Sequence, residues 1–185
     1  MLEPVTTVSV VSALSVLLGF VTSAATEYFR DSRTSKRERE AREATRKSQI
    51  ADRRIGFQRE TLLSLQEAVL EEARSAAQIS LADEREYRET GKWGQPLPEG
   101  LSDKARDNTV KTLMLMERVR DKDIRDLTKA FRNYANQVGI CRSLEDERVA
   151  LQNMGDALPA LQERIGIVLR QLDDDEDMGG EKRNS

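Results

Sequence analysis

Three groups of residues carry chemistry that could be put to use. Cys141 stands beside Arg142, a neighbour that favours thiolate over thiol. Asp173–Asp177 are five consecutive acids, able to attract divalent cations loosely. Arg30, Arg33, Lys36, Arg37, Arg39, Arg42, Arg46 and Lys47 form a basic run. None of the three amounts to a catalytic or metal centre. The chain has no histidine, so Cys141 lacks the usual general base, and a packed structural cysteine is the expected role. The acidic run lacks the glycine turn and spaced ligands of a calcium loop. No phosphate loop, dinucleotide fingerprint, cysteine pair or Ser-His-Asp set occurs. The chain reads as a non-enzyme, with no catalytic, cofactor-binding or metal residues.

The basic run begins at Arg30, just beyond Val5–Thr26, VTTVSVVSALSVLLGFVTSAAT, a stretch of 22 residues without a formal charge. As a helix it would be about 33 Å long, close to the hydrocarbon thickness of a bilayer. A single transmembrane helix over 5–26 is expected, with Pro4 at the first helical position. A cleaved signal peptide would need a basic segment ahead of the apolar one, and residues 1–4 supply none. A buried core helix fits 22 uncharged residues poorly. The positive-inside rule places the eight basic residues in the cytoplasm and residues 1–4 outside.

Within the span the small and hydroxylated residues keep to one side. Ser12, Ser15, Gly19 and Thr22 follow 3-4-3 spacing, and Ser15, Gly19 and Ser23 form a small-xxx-small series. Small residues let two helix backbones approach, so this face, with Ser12, Ser15, Gly19, Thr22 and Ser23, predicts self-association through the span. Hydroxyls that merely bond back to their own helix are the plainer alternative.

Stepping along the chain, residues 27–54 form a charged juxtamembrane stalk. Ser35 and Glu38 have capping-box spacing, and Glu38–Arg42 and Glu43–Lys47 are favourable i,i+4 pairs. Between Arg30 and Lys47 the eight bases and four acids leave a net charge of +4, enough to be held by anionic lipid. The same run serves equally well as a topology signal alone.

Composition favours an all-α fold beyond the stalk. Charged residues make up 34 % of the chain and aromatics 4 %, with ten glycines and four prolines in 185 residues. Net charge is −3, and with acids interspersed among the bases no nucleic-acid binding is expected. The single cysteine agrees with a reducing compartment. An antiparallel bundle of about three helices is expected over 55–172. The first carries Ile55, Leu62, Leu65, Val69, Ala76 and Ile79, widened by Leu63, Leu70, Ala73 and Ala77, with Gly56 as the joint to the stalk. A loop over 91–102 contains Trp93 as an anchor. The second helix, from about Asp103 to Gly139, carries Val110, Leu113, Met114, Ile124, Leu127, Phe131, Tyr134 and Val138, with a register shift or break near 120–123. The third, capped by Ser143 and Asp146, carries Leu144, Leu151, Met154, Leu158, Leu161, Ile165, Val168 and Leu172. Pro159 predicts a fresh segment capped by Asp156, with Gly155 as hinge. Residues 173–185 read as a disordered acidic tail.

Ile50–Val69 reads IADRRIGFQRETLLSLQEAV. An Arg-rich juxtamembrane helix leading into FQRETLLxLQ resembles uncharacterised actinobacterial and actinophage single-pass membrane proteins with a cytoplasmic helical domain. The similarity covers mainly residues 1–80. It implies a bacterial or phage source and a single-pass topology, and it implies no activity.

These features point to a membrane-anchored cytoplasmic bundle that acts through protein–protein contact, as an adaptor, sensor or regulatory subunit. Membrane lipid, a second copy of the chain and an unidentified protein are the expected partners. The alternative is an envelope or phage lysis protein, spanin-like or resembling a bitopic cell-division subunit, with its coiled coil outside the cytoplasm. Orientation separates the two.

Overall fold

The computed structural model describes the backbone of residues 4–184 and the side chains of residues 36–176. All regular structure in that range is α-helical: α1 (Pro4–Thr90), α2 (Leu101–Arg118), α3 (Lys122–Val138) and α4 (Leu144–Asn184). The chain divides into two compact units, Met1–Ala51 and Asp52–Ser185.

In the first unit the helix runs through Ser35 and Glu38, so no new helix starts at the expected capping box. Lys, Arg, Glu and Ala dominate there, all strong helix formers, and an N-cap would require leaving helical backbone angles. The side chains of Ser12, Ser15, Gly19, Thr22, Ser23, Arg30 and Arg33 lie outside the described residues. Among the described residues no helix is long and apolar enough to cross a membrane, and the expected span over 5–26 lies outside that set.

The second unit is a helical bundle. Its core joins Leu62, Leu65, Val69 and Ala76 of α1 to Met116 of α2, Ile124, Phe131 and Val138 of α3, and Met154, Leu161 and Ile165 of α4. The stripes expected on α3 and α4 are the ones that pack. On α1 the stripe is narrower than expected, since Leu63 and Leu70 are exposed. Gly56 stays helical and makes no joint.

Four helices stand where about three were expected, because the chain breaks between Arg118 and Lys122. The carbonyls of Arg118, Val119, Arg120 and Asp121 and the amides of Val119 and Arg120 all have partners, which is what lets a helix stop inside a bundle. Buried Gln58 of α1 donates to the Arg118 carbonyl at 3.1 Å and accepts the Arg120 amide at 3.0 Å. Arg125 donates to the Val119 and Arg120 carbonyls at 2.6 and 2.8 Å. Asp121 caps α3 by accepting the Ile124 amide at 2.9 Å.

Pro159 does not start a new helix. α4 continues through it, and Asp156, instead of capping, accepts Gln152 Nε2 at 2.9 Å within the helix. The carbonyl that Pro159 deprives of a partner belongs to Gly155, and both residues are exposed, so water can take its place. Residues 173–176 extend α4 rather than opening a disordered tail, since Asp173 and Glu176 accept Arg59 Nη2 at 2.6 and 2.7 Å. The rest of the expected tail, 177–185, lies outside the described side chains.

The connections follow local chemistry. Gly91, at φ 69°, ends α1 with its amide on the Tyr87 carbonyl at 2.8 Å, a left-handed C-terminal turn that favours glycine. Trp93 anchors the following loop: its indole donates to the Cys141 carbonyl at 3.0 Å and its ring meets Tyr87 edge-on at 5.8 Å. Ser143 Oγ accepts the Asp146 amide at 3.1 Å and donates to its carboxylate at 2.6 Å, the expected cap of α4.

Candidate functional site

Lys36, Arg37, Arg39, Arg42, Arg46 and Lys47 are all exposed on α1. At about 100° per residue they spread over more than half of the helix circumference rather than along one face. Glu38 pairs with Arg42 at 3.5 Å, and the expected Glu43–Lys47 pair does not close. Most of the positive charge on this segment is therefore free to face anionic groups from several directions.

The other two chemically promising groups have structural roles. Cys141 Sγ donates to the Gln137 carbonyl at 3.0 Å. Burial pushes its thiol up, and Asp146 and Glu147 add to the effect, so Arg142 does not make it a thiolate. The acids at the end of α4 are drawn to Arg59, and no group of three or more metal-ligating side chains gathers among the described residues.

What sequence reasoning missed is a polar layer inside the bundle. Glu72 of α1 is 3 % exposed, accepts Thr109 Oγ1 at 3.1 Å, and lies with Oε1 3.7 Å from Arg132 Nε of α3. Its Oε2 and the Arg132 Nε have no hydrogen-bond partner. Burial pushes the Glu72 carboxyl up, against the pull of Thr112, Arg132 and Thr109. Asn108 joins the layer by donating to Ser75 Oγ at 2.8 Å and to the Glu71 carbonyl at 3.3 Å. About two turns further along α1 from Glu72, Ser80 Oγ donates to Glu147 Oε2 of α4 at 2.8 Å. Glu147 is 1 % exposed, and its Oε1 is unpaired. Burial, with Asp83 and Glu84 nearby, raises its carboxyl despite the Ser80 bond. A signal for both acids was present in the spacing. Glu72 lies between Val69 and Ala76, and Glu147 between Leu144 and Leu151, each at a stripe position on the face that packs.

The polar layer turns α2 over. Its Asn108, Thr109 and Thr112 face α1, with Thr112 fully buried, while Val110, Leu113 and Met114 are 48, 40 and 56 % exposed. The sequence expectation put these three apolar residues in the core. They instead form the outer face of α2, because the polar groups of α1 take polar partners. Val110, Met114 and Leu115, with Asp107, Lys111, Arg118 and Ser64 of α1, line an open groove of about 470 Å3.

Comparison with protein-family models, with curated proteins and with solved structures finds no match for this chain. The functional reading therefore rests on the residues themselves.

Proposed function

We propose that this protein is a membrane-anchored helical-bundle adaptor, a sensor or regulatory subunit that works at the cytoplasmic face through protein–protein contact. One observation carries the reading: 22 uncharged residues are followed over residues 27–47 by eight basic residues against five acidic ones, with no base in residues 1–4. That asymmetry favours an anchor over 5–26 with the bundle on the cytoplasmic side. The exposed bases around α1 suit a stalk beside an anionic membrane surface, where each contributes about 1 kcal/mol of attraction. A bundle whose outward faces keep apolar side chains such as Leu63, Val110 and Met114 suits recognition of another protein rather than turnover of a substrate.

Reporter fusions test the topology. Alkaline phosphatase joined after Ser185 should be inactive and a cytoplasmic fluorescent reporter at the same place active. The reverse pattern rejects the adaptor and favours an envelope component. Recovery of the chain in the soluble fraction after cell lysis rejects the anchor itself.

A further inference from the structure

The outer face of α2 is self-complementary. The six α2 residues lining its groove are Asp107, Val110, Lys111, Met114, Leu115 and Arg118. They form three pairs about the midpoint between Thr112 and Leu113: Asp107 with Arg118, Val110 with Leu115, and Lys111 with Met114. A second α2 laid antiparallel on the first brings the members of each pair face to face. Both ends then match acid to base, the centre matches apolar to apolar, and the lysine stem covers the methionine. Asp107 and Arg118 are exposed, and neither makes an ion pair within the described residues. They are separated by 11 residues, about 16 Å along the helix, so the two end contacts bracket the apolar centre.

We propose that this face is a homodimer surface, on which two chains pack α2 against α2 in antiparallel fashion across a two-fold axis. A two-fold contact uses the same patch on both chains and closes on itself, which the pairing above requires. A parallel arrangement sets Asp107 against Asp107 and Arg118 against Arg118, and like charges across an interface repel. Gln58, Glu72 and Ser75 of α1 meet residues 118–120, 109 and 108 in turn, so α2 runs antiparallel to this part of α1. The dimer therefore points the two α1 segments in opposite directions. It is a contact of the bundle and an alternative to anchoring both chains side by side in one membrane.

Site-directed crosslinking of the full chain tests it. Two differently tagged copies carry Cys141→Ser, one with Lys111→Cys and the other with Met114→Cys, and are co-expressed and mildly oxidised. A mixed disulfide between the copies is expected, well above that of a Lys129→Cys pair placed on exposed α3 surface. Adding Asp107→Arg to both copies should lower the yield about tenfold by setting arginine against arginine at both ends. Asp107→Arg on one copy and Arg118→Asp on the other restores opposite charges at both ends, and the yield should return. Matching thermal melts establish that these surface changes leave each chain folded. A yield that ignores the charge changes, or that equals the Lys129→Cys control, overturns the proposal. So does a crosslink from Met114→Cys to a foreign protein with none between copies.

Discussion

Arg164 Nη2 of α4 donates to Asp121 Oδ2 at 2.7 Å while Asp121 Oδ1 accepts the Ile124 amide at 2.9 Å. One carboxylate thus caps α3 and ties the break between α2 and α3 to α4. Asp123 lies 3.1 Å from the same guanidinium nitrogen. With Gln58 reaching the break from α1, all four helices meet at a corner that depends on side chains rather than on turn residues.

The first prediction tests that corner. Asp121→Ala removes both the cap and the arginine contact and should cost about 2 kcal/mol, whereas Asp121→Asn keeps the cap and should cost about half as much. Burial works to raise the Asp121 carboxyl, but its bonds to Arg164 and to the Ile124 amide outweigh burial and hold it below the usual range. Its contribution is therefore present above the ordinary carboxylate pKa and lost as pH falls through the lower folded value. Thermal unfolding of wild type and Asp121→Asn should converge in acid. Curves that stay parallel would refute this account.

The sequence predicts α3 and α4 well for a physical reason. Ile124, Phe131 and Val138, and Met154, Leu161 and Ile165, are apolar at helical spacing and face apolar partners, so pattern and burial coincide. On α2 they diverge. Val110, Leu113 and Met114 have the right spacing, but α1 presents Glu72, Ser75 and the Glu71 carbonyl to α2, and Asn108, Thr109 and Thr112 answer them. Periodicity finds a face and cannot say which side a polar neighbour will claim. The break at Val119–Asp121 falls where the sequence suggests a register shift or break, near 120–123, but what holds it is hidden for a related reason. Its partners Gln58 and Arg164 stand about 60 and 43 residues away in sequence. The candidate groove inherits the same limit, since it exists only because α2 is turned.

Pro159 offers a second test. It sits on the exposed side of α4 in the middle of a continuous helix. Pro159→Ala supplies the missing amide for the Gly155 carbonyl and should stabilise the chain by about 1–3 kcal/mol, read as a higher melting temperature. No gain would mean that the helix is already bent around the proline in a way alanine cannot use.

Glu147 should show a pH effect of the opposite sign to Asp121. Its carboxyl is raised by burial and by Asp83 and Glu84, so the folded chain holds a proton that the unfolded chain releases. That stability is complete below the ordinary carboxylate pKa and is lost as pH rises through the raised folded value. Glu147→Gln keeps an acceptor for Ser80 and removes the charge. It should stabilise the neutral-pH protein by about 1 kcal/mol and confer no advantage in acid. A loss of stability at neutral pH would show that the charge itself is used.

Glu72 and Arg132 allow the sharpest test of the interior. At 3.7 Å their closest approach is too long for a hydrogen bond, yet Arg132 is the cation drawn to this buried carboxylate. Arg132→Met leaves Glu72 without its counter-charge and should cost about 3 kcal/mol at neutral pH. Glu72→Gln should cost less, because the Arg132 side chain retains 14 % exposure and can reach water. The double variant Glu72→Gln/Arg132→Met should be more stable than Arg132→Met alone, since no unpaired charge remains inside. The pH dependence follows from the same groups. Burial already raises the Glu72 carboxyl, so its charged form costs stability as pH rises through the folded value. Without Arg132 that value moves higher, and the penalty of Arg132→Met should shrink in acid, where Glu72 is protonated in both chains. Additive single and double effects, with no pH dependence, would mean that the two charges do not feel one another.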